Sequence, residues 1–293
     1  AVLLGLLIGV LIGMWQGFWV AYVGIPAFIV TLGGMLLFRG LALIVLNGKT
    51  VTTPDPGFKF IAGGSIPAFL GFLGYMDVVT LLIGAFALVG AVYSSVRTRK
   101  ASIKAGVPVE RYGAFIARMV MTVCIIGFVT YLLAMSAGGT PVVLIIIGVL
   151  VVVYSFVMGR TKFGRYIYAI GGNLKAARLS GINTKKVDFF VFVNMGFLAA
   201  LAGIIVTARA GSAVGSAGTT FELDAIAAAF IGGTAVSGGV GKISGAIIGA
   251  LVMGVLNMGL SIMGVDPNWQ QAIKGLVVIF AVAADVISSR KGA

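Results

Sequence analysis

"PVVLIIIGVLVVVYSFVMGRTKFGRYIYAIGGNLKAARLSGINTKKVDFFVFVNMGFLAALAGIIVTARA", residues 141–210, sets two long apolar runs on either side of a basic, glycine-punctuated segment. Residues 141–159 and 187–208 each approach or exceed the roughly 20 residues a helix needs to cross the hydrocarbon core. Between them, seven Lys and Arg fall from Arg160 to Lys186. An apolar run, a basic loop and a second apolar run describe a chain that crosses a bilayer and returns. By the positive-inside rule the loop is cytoplasmic.

The same grammar extends along the chain. Six more Lys and Arg lie from Arg97 to Arg118, and Arg290 and Lys291 stand at the C-terminus. Placing all three groups on one side predicts spans at about 1–22, 25–47, 77–96, 117–136, 141–159, 187–208, 243–263 and 269–286. The C-terminus is then cytoplasmic. Residues 221–237 make a short or broken crossing, because only about 15 residues are free to cross before a cluster of Gly232, Gly233, Gly238, Gly239 and Gly241. The expected fold class is all-α: a polytopic helical membrane protein with a glycine-rich transmembrane bundle, residues 1–293 forming one transmembrane domain. Composition agrees, with 60% hydrophobic and 10% charged residues against roughly 25% charged in soluble domains. The net charge of +13 is therefore read as topology, not as nucleic-acid binding. Ala1 opens an apolar run that lacks the basic region and cleavage site of a signal peptide. This predicts the interior of a longer chain, beginning within a span.

Gly5, Gly9, Gly13 and Gly17 recur every four residues, as do Gly241, Gly245 and Gly249. Such smooth faces predict close helix packing.

Several chemistries are disfavoured. The chain has no His, which removes imidazole from catalysis or proton relay, and Cys124 is its single cysteine, so no metal spacing or disulfide framework exists. "SGGVGKISG" (237–245) is not a phosphate-binding loop: Val236 stands where the first glycine belongs and Ile243 where a magnesium-binding hydroxyl belongs. Nucleotide is therefore bound by another chain, and no cofactor is expected. Nearly all of the eight acids lie at span ends or in loops, which argues against a proton-pumping carboxylate chain.

The candidate path or gate residues are polar groups at or within spans. Glu222 and Asp224 begin the short segment, where they suit a helix N-terminus or a contact to substrate or a delivery protein. Arg39 is a cation inside a span, read as an anchor or as path lining. Asn194 and Asn257 can bond across helices or to a hydroxyl-rich solute. Gly232, Gly233 and Thr234 mark the expected break. In the basic loop, Asn173 is a good N-cap and Gly181 a good left-handed terminator. They predict a two-turn surface helix with Leu174, Ala177 and Leu179 as an apolar face and Lys175 and Arg178 beside it. This helix is either an anionic-lipid anchor or a knob that another protein grips.

"FGRYIYAIGGNLKAARLSGI" (163–182), "ELDAIAAAFIGGTAVSGGVGKISGAIIGAL" (222–251) and "PAFIVTLGGMLLFRG" (26–40) resemble the permease subunits of bacterial sugar ABC importers that serve ribose, galactose and xylose. The resemblance covers nearly the whole chain. Two additional spans around "RTRKASIKAGVPVERYGAFIAR" (97–118) resemble the xylose or multiple-monosaccharide branch. The resemblance implies a homodimeric, non-enzymatic permease in the bacterial inner membrane. It would receive a sugar such as D-xylose from a periplasmic binding protein and be driven by a cytoplasmic ABC ATPase. It further implies that Asn173, Leu174, Lys175, Ala177, Arg178, Leu179 and Gly181 belong to a helix, in the loop 160–186, that couples to the ATPase. Family members carry further N-terminal spans with a "GIDLS"-like motif, so the chain is expected to be N-terminally incomplete. Two alternatives are a permease for another small solute such as branched-chain amino acids, and an ion-gradient-driven carrier or channel.

Overall fold

The computed structural model describes residues 1–53, 55–66, 71–73, 76–106, 110–136 and 139–291; for residues 72, 73 and 284–291 it describes the backbone alone. The side chains of Arg290 and Lys291, used above for topology, lie outside the described set. The chain divides into two compact units, residues 1–54 with 147–293, and residues 55–146.

In the first unit, α1 (Val2–Gly17) continues as a π-helical turn, Phe18–Val23. Gly24, at φ +87°, ends it. After Pro26 comes α2 (Ala27–Leu46), which stops at the left-handed Asn47. The second unit holds α3 (Pro56–Gly63), α4 (Val78–Lys104) and α5 (Tyr112–Ala134). The helix α6 (Val142–Arg160) begins in the second unit and ends in the first. The first unit then resumes with α7 (Lys162–Gly172), α8 (Leu174–Leu179), α9 (Thr184–Ala210), α10 (Phe221–Ile231), α11 (Ile243–Ile262) and α12 (Pro267–Lys291). Strands are minimal. β1 (Val51–Thr52) pairs antiparallel with β4 (Ser212–Ala213), and β2 (Phe72–Leu73) with β3 (Met76–Asp77).

Among the described residues, seven helices are long and apolar enough to cross a membrane: Val2–Val23, α2, α4, α5, α6, α9 and α11. The helix α10 has only 11 residues, about 17 Å at 1.5 Å per residue, roughly half the thickness of the hydrocarbon core.

The glycine faces meet backbone, as small-residue faces do where side chains would hold helices apart. The α1 stripe packs on α9: a Cβ added at Gly9 would reach Ala200 and the Gly196 carbonyl, and one at Gly13 the Phe192 carbonyl. The α11 stripe packs on α10, with Gly245 against Gly232 and Gly249 against the Ala228 carbonyl. Ala227, Ala228 and Met253 are buried there, with Val277 and Val278 of α12 packed against them.

In the second unit, Asp77 caps α4 from just outside the span. Its carboxylate accepts from the Thr80 hydroxyl at 2.6 Å and from the Val79 and Thr80 backbone N–H groups at 3.2 and 3.0 Å. The Thr80 and Thr140 hydroxyls lie 2.9 Å apart. The Thr80 hydroxyl, helped by those two amides, holds the Asp77 carboxyl below its usual range although burial opposes the shift.

Candidate functional site

Two clusters in the first unit gather the candidate residues. The first surrounds α8. The side chain of Thr161 caps α7 through Gly164 N. Asn173 then serves twice: its N–H donates to the Ala169 carbonyl at 3.0 Å to close α7, and its Oδ1 accepts from Ala176 N at 3.0 Å to open α8. Gly181, at φ +79°, ends the unit as glycine can and most residues cannot. Leu174 and Lys175 are exposed, and Leu179 is 91% exposed. Arg178 Nε donates to the Thr184 hydroxyl of α9 at 3.3 Å, fixing α8 to the next helix.

One expectation is corrected. Ala177 is not part of a presented apolar face; it is 4% exposed, turned into the protein by the same amphipathic spacing that turns Leu179 outward. The apolar knob is Leu174 and Leu179, and Ala177 packs the helix down.

The loop between α10 and α11 lies against α7. Tyr168 donates its hydroxyl to the Gly241 carbonyl at 2.8 Å. The backbone of Gly171 meets that of Gly239 so closely that a Cβ on either glycine would collide. Gly233, Gly238 and Gly239 all have φ near +80°. A cleft of about 400 Å³ lies beneath, lined among others by Met158, Tyr168, Asp188, Thr234, Lys242 and Ala246.

The second cluster joins α10, α11 and α12. Asp224 Oδ2 accepts from Lys274 Nζ at 3.0 Å and from Asn257 Nδ2 at 3.2 Å. The side chains of Lys274 and Asp224 are 12% and 21% exposed. Among the described residues, Asp224 Oδ1 and Asn257 Oδ1 are buried without a hydrogen-bond partner. Glu222 and Asp224 both lie in the first turn of α10, as expected, and α10 begins at a left-handed Thr220 with no side-chain cap; the Asp224 carboxylate in addition reaches two neighbouring helices. Glu222, one face away, is exposed.

The remaining candidates stand apart. Asn194 of α9 accepts from the Tyr154 hydroxyl of α6. Arg39 is half-buried in α2. Lys274, Tyr154 and Tyr168 are not among the site candidates that the sequence singles out. The signal for Lys274 was present: the cost argument that singles out Arg39 applies equally to a cation seven residues inside α12.

Comparison with known proteins gives the family. A family model described as "Branched-chain amino acid transport system / permease component" matches residues 1–282. The xylose transport system permease protein XylH of Escherichia coli K12 is 40% identical over 272 residues, covering 93% of this chain and 67% of that protein. The chain is a permease subunit of the sugar ABC importer family. The Haemophilus influenzae XylH is 37% identical, covering 93% of this permease and 70% of its relative. The ribose import permease protein RbsC of E. coli K12 is 48% identical over 147 residues, which is 50% of this permease and 46% of RbsC. No solved structure matches the permease. Membership makes it a transport subunit and not an enzyme, consistent with the rejected phosphate loop at 237–245.

Proposed function

We propose that this permease imports a pentose, D-xylose or a close relative, across the bacterial inner membrane by alternating access. The observation that carries the choice of solute is likeness over 93% of the chain to xylose permeases, against half of it to a ribose permease. Residues 1–293 form one transmembrane permease domain, with the 160–186 loop and the C-terminus in the cytoplasm. A periplasmic sugar-binding protein delivers the solute to a homodimer of permeases.

An ABC ATPase in the cytoplasm docks on α8. The exposed Leu174 and Leu179, with Lys175 beside them, suit a groove with an apolar floor and an acidic rim. Closure of the ATPase pair then stabilises one permease state over the other, and differential affinity for the two states moves the equilibrium.

The path candidates are Asp224, Asn257, Asn194, Arg39, Glu222, Gly232, Gly233 and Thr234. Asp224 Oδ1 and Asn257 Oδ1 are the best supported, because two buried acceptors lacking donors among the described residues are unusual and a polyhydroxylated solute carries donors for both. They are sealed from solvent in this conformation. The solute would meet them once α10 has moved from α11 and α12. The alternative solute, a branched-chain amino acid, is favoured by the family description.

Uptake of labelled D-xylose, D-ribose and L-leucine into proteoliposomes holding the full complex, with ATP inside and out, decides between them. D-xylose transport with no leucine transport is expected; leucine transport alone would overturn the reading.

A further inference from the structure

We infer that Tyr168, Gly171 and Gly239 form a joint that transmits motion from α8 to the α10–α11 hairpin, so that Tyr168 is a positioning residue for transport. The inference rests on the reading of α8 as the ATPase dock and adds the route by which docking reaches the membrane.

Three observations define the route. The helix α8 is continuous with α7 through Asn173, which caps both, so displacing one displaces the other. The C-terminal half of α7 is held to the loop that joins α10 to α11 by the Tyr168–Gly241 hydrogen bond and by the Gly171–Gly239 backbone contact. Backbone-to-backbone contact leaves no flexible side chain to absorb movement, unlike an interface built of long side chains.

Beyond the joint, α10 and α11 are themselves locked, with Gly232 on Gly245 and Ala228 on Gly249. The hairpin therefore moves as one body. Its far end carries Asn257, which donates to Asp224, and Asp224, which is held to Lys274 of α12. Movement at α8 thus reaches the polar cluster through a chain of close contacts. The cleft of about 400 Å³ beside the joint is room into which the loop can move.

The test uses the complete complex of permease, ATPase and binding protein in proteoliposomes. It reads labelled D-xylose taken up per ATP hydrolysed. Tyr168→Phe removes only the hydroxyl. The expected result is an assembled complex that still hydrolyses ATP but whose uptake per ATP falls at least fivefold. Gly171→Ala, which would force the two backbones apart, is expected to uncouple more strongly. An uptake-to-ATP ratio equal to wild type in both variants overturns the proposal. So does loss of assembly in both, since the residues would then serve docking or folding.

Leu179→Asp is the separate control on the dock. It is expected to release the ATPase from the membrane fraction. If the ATPase stays bound, the docking reading fails, while the ratio measured for Tyr168→Phe still reports on the joint.

Discussion

Removing the ammonium of Lys274 should leave a buried, unpaired charge in the α10–α12 cluster. At 3.0 Å and an effective dielectric of about 20, the attraction between Asp224 and Lys274 is about 5.5 kcal/mol before desolvation. Desolvation offsets most of that gain when both charges are present, but breaking such a pair leaves one charge buried and unpaired, at about 3–5 kcal/mol. Lys274→Met would leave Asp224 with the Asn257 amide alone. Asp224→Asn would strand the ammonium in the same way. The double variant, with no charge left, should recover most of the loss. The measurement is reversible unfolding of each variant in mixed SDS and mild detergent, followed by tryptophan fluorescence, to which Trp269 in the first turn of α12 contributes. A coupling energy of about 2 kcal/mol or more is expected from the cycle. Single losses that add to within about 0.5 kcal/mol would refute the claim that the two charges act as a buried pair.

Two further predictions concern packing and capping. Gly196→Val should destabilise by about 2–3 kcal/mol in the same assay, because its Cβ would fall on the Gly9 carbonyl and overpacking of this kind typically costs 1–3 kcal/mol. Gly203→Ala, on the same helix with open space at its Cβ, should be neutral or stabilising by up to about 1 kcal/mol. Asp77→Ala should cost about 1 kcal/mol through loss of the α4 cap. The pH dependence of that last difference has a definite sign. A carboxyl held below its usual value contributes its full stability above the ordinary carboxyl range of about pH 4, and that contribution is lost as pH falls through the lower folded-state value. Wild type and Asp77→Ala should therefore converge in acid; a difference that grows below pH 4 would contradict the capping geometry.

Much of the helical architecture was legible because lipid imposes length and apolarity on a span and leaves basic residues to loops. The two-turn α8 was legible because Asn173 and Gly181 carry their capping behaviour in their own side-chain chemistry. The stripe Gly5, Gly9, Gly13 and Gly17 announced a close approach but not its partner, since α9 carries only Gly196 and Gly203, seven residues apart and with no matching stripe, and Gly196 lies some 190 residues away in the chain. Ala177 was misplaced because a six-residue helix is too short for periodicity to decide which face is buried. The partners of Asp224 were hidden for a related reason. Position in a first turn predicts a favourable dipole contact, and the cation and the amide on neighbouring helices that Asp224 also meets are partners that only tertiary structure reveals. Tyr168 gave no signal at all, because its acceptor is a backbone carbonyl, which any residue would supply.

The central claim is that an external ATPase supplies the energy and the permease supplies none. Concentrative uptake of labelled D-xylose should be measured in two sets of proteoliposomes, one holding the full complex with ATP, the other the permease alone under an imposed proton or sodium gradient. Accumulation above the external concentration is expected in the first set and none in the second. Uphill accumulation by the permease alone would contradict the account.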